Sequence, residues 1–332
     1  MNQPLTPAAV RSWLQHATGS PLYTHLMEVI AEDATLMAVL NRIEHKPQPN
    51  VLLAGVQSLL MRDPTEPLAR FYPNLVDDPA PVADVDRTFR EFVVEHQEEL
   101  VEVGRTRHTQ TNEAGRCSAL LPAIWETGFR RFHLIDLGAS AGLNLALDRY
   151  RYRWDGLEWG PESPVTLQCA VRGRMPDPEG IELLSRIGLD LNPLDPSDPD
   201  DRQWLEALIW PEQEDRRKRL HAALGIQREI DIELVAGDAT ETLGVALERL
   251  PGDDPVVVMH SFALNQFGED QRSKVEATLA TARQNRVLWR VSMELLDWGD
   301  EAARLTIDDG TDPVEVGLAQ PHGEWLELYA LP

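Results

Sequence analysis

The sequence predicts an α/β protein. A helical N-terminal portion, residues 1–128, precedes a mostly parallel sheet over 129–332 that closes with an antiparallel C-terminal hairpin. Three observations carry this. Up to Gly128, apolar residues recur at helical spacing behind helix-start signals. From Phe132 onward, short apolar runs alternate with helical stretches, as a parallel sheet with crossover helices requires. Three successive strands of that sheet end in a carboxylate: Asp136, Asp190 and Asp238.

The elements follow in order. Thr6-Pro7 and Ser20-Pro21 pair an N-cap residue with proline at the first helical position. Asp33 precedes Leu36, Met37, Leu40 and Ile43, which share one face. Asn50 precedes Leu52, Leu53, Val56, Leu59 and Leu60 at the same spacing. Residues 63–83, rich in Pro and Asp, read as a loop. One longer helix carries Phe89, Phe92, Val93, His96 and Leu100 and stops at Gly104. Asn112 is placed to cap another that ends at Gly128. Strands are expected at 132–137, 186–190, 231–236, 255–260 and 286–293, with the terminal antiparallel pair at 313–319 and 324–330. The runs YRYRW and VTLQCAVR suggest a hairpin inserted at about 150–172. An acidic turn, 195–203, leads into a helix over about 201–224.

Composition narrows the function. The 332 residues are 42% hydrophobic and 26% charged, which fits a folded protein rather than a disordered one. With 31 Lys+Arg against 55 Asp+Glu, the formal charge is −24. Such a chain lacks the basic surplus that drives counterion release from nucleic acid or attraction to anionic membranes. No apolar run approaches the ~18 residues of a membrane span. The segment MNQPLTPAAVRSW lacks the pattern of a secretory signal, and Cys117 and Cys169 read as reduced thiols, so a cytoplasmic location is expected. The expected partner is a small-molecule substrate; the sequence leaves the oligomeric state open.

The segment HLIDLGASAGLNLALDRY, 133–150, carries most information. A buried strand ends at Asp136, small residues follow, and a helix is expected next. Small residues permit a sharp turn and let a ligand approach the main chain. Two readings compete. In one, Asp136, Gly138, Ala139, Ser140, Gly142 and Asn144 form a nucleotide-type cofactor loop. In the other, G-A-S-A-G is a nucleophile elbow with Ser140 as nucleophile of a hydrolase. An elbow needs strands before it, and everything upstream reads as helical. The acids that end the next strands favour the cofactor loop. A carboxylate at Asp190, beside Asn192, can accept both hydroxyls of a ribose, and one at Asp238, beside Ala239, can accept an adenine amino group. The separation of 54 residues (190 − 136) exceeds the usual gap of about 20, which the insertion would explain.

This arrangement resembles a class I S-adenosylmethionine-dependent methyltransferase over about 130–332. The whole chain resembles a bacterial family of unknown function through S-P-L-Y at 20–23, T-Q-T-N-E-A-G-R at 109–116, G-A-S-A-G-L-N at 138–144, G-L-D-L-N-P-L-D at 188–195, W-P-E-Q at 210–213 and H-G-E-W-L-E at 322–327. The resemblance implies a Rossmann-like, methyltransferase-type sheet of seven strands and S-adenosylmethionine as cofactor. It implies no established reaction. A non-catalytic protein that binds an adenosyl ligand on the same fold is the other alternative.

Candidate chemistry lies near the loop. His260, at the end of the fourth strand, can take a proton from an attacking oxygen or nitrogen. Ser261, Phe262, Asn265, Gln266 and Phe267 follow it. Gln110, Asn112, Glu113 and Arg116 form a polar cluster suited to a site floor, with Arg116 able to pair with the cofactor's carboxylate. Glu294 and Trp298 follow the fifth strand and are candidates for the acceptor pocket. The basic run Arg216, Arg217, Lys218 and Arg219 reads as a solvated helix face or as a lid for an anionic substrate. No metal site is expected.

Overall fold

The computed structural model describes residues 4–14, 19–295 and 300–330. It divides into two compact units: residues up to Thr111 with Asp198–Lys218, and Asn112–Ser197 with the residues from Arg219 onward. Residues 112–128 thus group with the sheet, and 198–218 with the N-terminal helices. No described helix is long and apolar enough to cross a membrane.

The first unit is helical. Its elements are α1 (Pro7–Leu14), α2 (Pro21–Glu32), α3 (Ala34–Leu40), α4 (Gln48–Arg62), α5 (Asp86–Glu95) and α6 (Gln97–Thr106). Ser20 and Asp33 cap α2 and α3 as expected, their side chains accepting from the N–H groups of Tyr23 and of Thr35 and Leu36. The helix expected after Asn50 begins earlier, at Gln48, so Asn50 lies inside it. The single long helix expected up to Gly104 is two, broken at His96, without the Gly or Pro that would mark the break. Gln57 is fully buried on α4, and its carboxamide donates to the carbonyls of Ala207 (3.0 Å) and Ile209 (2.7 Å). Glu212 likewise accepts from the Leu22 N–H.

In the second unit, α7 (Cys117–Glu126) leads into β1 (Arg131–Leu137). The glycine-containing loop is followed by a 3-10 helix over Leu143–Arg149 with a kink at Ala146, not by the expected crossover α-helix. Arg186 pulls this segment inward. It is 9% exposed, pairs with Asp148 at 2.7 Å and donates to the Leu145 carbonyl. Next come β2 (Arg151–Trp154), β3 (Leu157–Trp159), β4 (Thr166–Gly173) and β5 (Glu182–Asp190). The inserted hairpin is smaller than expected: β2 pairs antiparallel with β3, while VTLQCAVR forms β4 and runs parallel to β2. Asp155 and Gly156 both have positive φ, the geometry that closes a two-residue hairpin.

After β5 come α8 (Pro199–Ala207), in the first unit, and α9 (Glu214–Gln227), which crosses the division at Lys218. The helix expected over about 201–224 is therefore two, parted around Pro211. Then follow β6 (Glu233–Ala236), α10 (Ala239–Arg249), β7 (Val256–Ser261), α11 (Glu269–Ala282), β8 (Leu288–Glu294), β9 (Ala303–Asp308), β10 (Val314–Ala319) and β11 (Trp325–Leu328). Among the described residues the sheet has eleven strands, not seven, in the order β3-β2-β4-β11-β10-β9-β8-β7-β1-β5-β6. It is mixed. The run β8–β7–β1–β5–β6 is parallel, and β8–β9–β10–β11 is an antiparallel meander that contains the expected terminal hairpin.

Register sets the faces. Ile135 aligns with Ile187 and Val258, and Leu137 with Leu189 and His260. The apolar members of these rows belong to the core that includes Leu243, Leu247, Val275 and Leu279 of α10 and α11. Side chains alternate along a strand, so Asp136, aligned with Gly188 and Met259, faces the opposite side.

Candidate functional site

β1 lies between β5 on one side and β7 on the other, the chain running through β2, β3 and β4 at the far end of the sheet before it reaches β5. The crevice at the carboxyl ends of such strands is where open α/β sheets bind ligands. Here it holds Asp136, 2% exposed, whose Oδ2 is buried without a hydrogen-bond partner. Burial raises its pKa, nearby Asp190 raises it further, and Arg116 opposes both; the result is about 8.

The loop after β1 is held from within. Asp190 accepts from the Ser140 N–H through Oδ2 and from the Asn192 N–H through Oδ1, each at 2.8 Å. Asn112 does not cap a helix. Its carboxamide donates to the Ala139 carbonyl and accepts from the Leu143 N–H, both at 3.0 Å, clamping the loop. Gly138 has φ +76, and a Cβ there would lie 2.7 Å from the Ala263 Cβ, so this glycine serves close packing of two loops. Ser140 has φ +52, unusual for a residue with a side chain. Its buried Oγ has no partner, so no imidazole activates it in this geometry, as nucleophilic attack would need. Asn144 lies in the 3-10 helix and approaches the Cys117 sulfur at 3.4 Å. Both cysteines are free and buried, and burial pushes the Cys117 thiol well up.

Arg116 and Ser261 come together on the Asp136 side. The guanidinium donates to Ser261 Oγ at 3.3 Å and to the Pro321 carbonyl at 3.1 Å, and lies 4.4 Å from the centre of the Phe262 ring. Glu113 accepts from the Gly115 N–H and pairs with Arg219 at 2.7 Å. The other cations of the basic run are also engaged: Arg216 with Gln213, Arg217 with Glu206 and Pro211, Lys218 with Glu214.

His260 belongs to the other row of β7. Its Nδ1 lies 2.7 Å from Glu294 Oε1. The same carboxylate accepts from the N–H groups of Ala263, Leu264 and Asn265. Burial would raise the Glu294 pKa, but His260 and these N–H groups outweigh it and hold it low. An ionised carboxylate only accepts, so His260 Nδ1 carries the proton. Nε2 is buried and without a partner. Asn265 Oδ1 is also buried and unpartnered. Residue type alone assigned Asn265 no role, and its only signal was a polar side chain soon after the strand carrying His260.

Other candidates stand apart. Asp238 caps α10, accepting from the Thr240 N–H, and its second oxygen accepts from Gln271; Ala239 opens the helix. The Thr240 N–H leads the interactions that hold the Asp238 pKa low. Gln110 falls in the first unit. Trp298 lies outside the described residues.

The fold and crevice define a mixed-sheet α/β protein with buried, incompletely satisfied polar groups at the ends of its central strands. The chain belongs to the bacterial family described as an uncharacterized protein conserved in bacteria (DUF2332), whose model matches residues 10–328. No curated protein matches it.

Proposed function

We propose that the α/β unit binds S-adenosylmethionine and directs methyl transfer to a small-molecule acceptor. The observation that carries this is Asp136: a fully enclosed carboxylate with an unpartnered oxygen, at the end of the central strand, within the influence of Asp190 and Arg116. A protein keeps such a costly group where a ligand satisfies it. The ammonium of an amino-acid moiety suits the Asp136 oxygen, and the Arg116 guanidinium suits its carboxylate. The loop Gly138, Ala139, Ser140, Gly142 and Asn144 would border the ligand. Asp190 and Asn192 would meet the ribose, a carboxylate offering two acceptor oxygens to a pair of hydroxyls. Asp238 and Ala239 would serve the base.

The bound cofactor supplies an electrophilic methyl group. The protein's part is to orient the acceptor, exclude water and receive a proton at His260 Nε2, with Glu294 steadying the imidazolium.

Calorimetry with S-adenosylmethionine and S-adenosylhomocysteine tests the reading. Micromolar binding is expected for the wild type, weakened at least about tenfold, the effect of ~1.4 kcal/mol, in Asp190→Ala and Asp136→Asn. Absence of binding to folded wild type would discard it. His260→Gln should leave cofactor affinity unchanged and lower kcat by about 10²–10⁴, as removal of a general base does.

A further inference from the structure

We propose that the turn Gln320–Gly323, between β10 and β11, is a positioning element of the ligand site that acts through Arg116; this deepens the methyl-transfer reading and rests on it only for the ligand that Arg116 meets.

The turn is stiff. The Gly323 N–H donates to the Gln320 carbonyl at 2.8 Å, proline fills the second position, and Gln320 Oε1 accepts from the His322 N–H at 2.6 Å. It is pressed against the segment that carries Arg116. The Ser118 hydroxyl lies 2.7 Å from the Gly115 carbonyl oxygen and 2.8 Å from that of Gly323, joining the two backbones. Neither glycine has room for a side chain. A Cβ on Gly323 would collide with the Gly115 carbonyl oxygen, and one on Gly115 with the His322 carbonyl oxygen. The motifs at 109–116 and 322–327 therefore meet in space, both within the second unit.

This contact ends on a guanidinium. Arg116 donates from Nε to the Pro321 carbonyl at 3.1 Å and from Nη1 to Ser261 Oγ at 3.3 Å, with the Phe262 ring centre 4.4 Å away. Phe262 has φ +56, a left-handed conformation that is strained for a bulky residue and that clusters at functional sites. Three segments thus converge on one cation, itself 7% exposed. An arginine held at two nitrogens keeps its planar fork in one orientation and meets a carboxylate in one pose. Asp136 feels the same charge, which opposes the rise in its pKa.

The test uses full-length Gly323→Ala and Ser118→Ala, the second a milder loosening of the same contact, with Arg116→Gln for reference. Protein labelled with ¹³C at the aspartate carboxyls reports Asp136 through its titration near pH 8, assigned by its loss in Asp136→Asn. Displacing the guanidinium removes a charge that favours the ionised form. The midpoint should therefore rise in both variants, toward that of Arg116→Gln. Calorimetry should show affinity for S-adenosylmethionine lowered about tenfold, with little loss for its decarboxylated analogue, which gives Arg116 nothing to hold. An unchanged midpoint in folded Ser118→Ala, or equal losses for the two ligands, would overturn the proposal. The cofactor reading fails separately. A raised midpoint in variants of a protein that binds neither ligand keeps the turn's hold on Arg116 and ends that reading; wild-type binding with an unchanged midpoint does the reverse.

Discussion

Replacing Asp308 by alanine should destabilise the protein by about 3–5 kcal/mol, the loss expected when one partner of a buried ion pair is removed. Asp308 ends β9 and is 4% exposed. Its Oδ2 meets Arg290 at 2.8 Å and Arg283 at 3.2 Å, and its Oδ1 accepts from the Gly310 N–H. Arg283 also donates to the Asp308 carbonyl. The two guanidiniums come from the end of α11 and from β8, so one carboxylate ties a helix to an antiparallel strand pair. Without it, two largely buried cations face each other with Glu276, on the exposed side of Arg290, as the remaining carboxylate. Urea unfolding reads the effect as a lower midpoint at unchanged slope. A loss below about 1 kcal/mol, the range of exposed pairs, would mean that the network is solvated.

Asp136→Asn should do the opposite in alkaline solution. The folded pKa of about 8 lies above the unfolded value of about 4. Between these values the folded state holds a proton that the unfolded chain has released. The stability contributed by protonated Asp136 is therefore fully present below about pH 4 and is lost as pH rises toward 8. Asparagine cannot ionise and escapes the loss. Wild type and variant should differ little at pH 4, and the variant should be more stable at pH 8 by on the order of 5 kcal/mol, the linkage of a shift of about four pKa units. The same substitution should weaken cofactor binding. A gain in stability at the expense of ligand affinity marks a strained functional group, whereas a purely structural acid would give no such trade. Equal stability of the two proteins across this range would show that Asp136 is not buried in solution.

The sheet was legible where the strands are apolar runs. FHLIDL and PVVVMH lie almost where the side chains announce them. Less apolar strands were hidden. β5 begins at Glu182, with Ser185 and Arg186 inside it, and ARLTID in β9 carries a charge at each end. The parallel pairing of β2 with β4 is a long-range fact that the alternation of YRYRW does not encode, although Asp155-Gly156 does mark a tight hairpin. Around the crevice, Asp136 and the glycine loop could be read from residue types in order. The clamp by Asn112, the Glu294–His260 pair 34 residues apart and the opposite facing of His260 and Asp136 depend on register between strands, which no local pattern supplies.

The discontinuity of the two units bears on how the chain matures. The helical unit needs Glu212 and the carbonyls of Ala207 and Ile209, all borne on a segment that emerges well after its first six helices. During synthesis, Gln57 must therefore wait for its acceptors until β1 to β5 have already left the ribosome, so the N-terminal helices cannot finish first as an independent foldon. A recombinant fragment cut at residue 128 would leave the buried Gln57 carboxamide without these acceptors, and a stand-alone version of this unit would require grafting 198–218 onto its end.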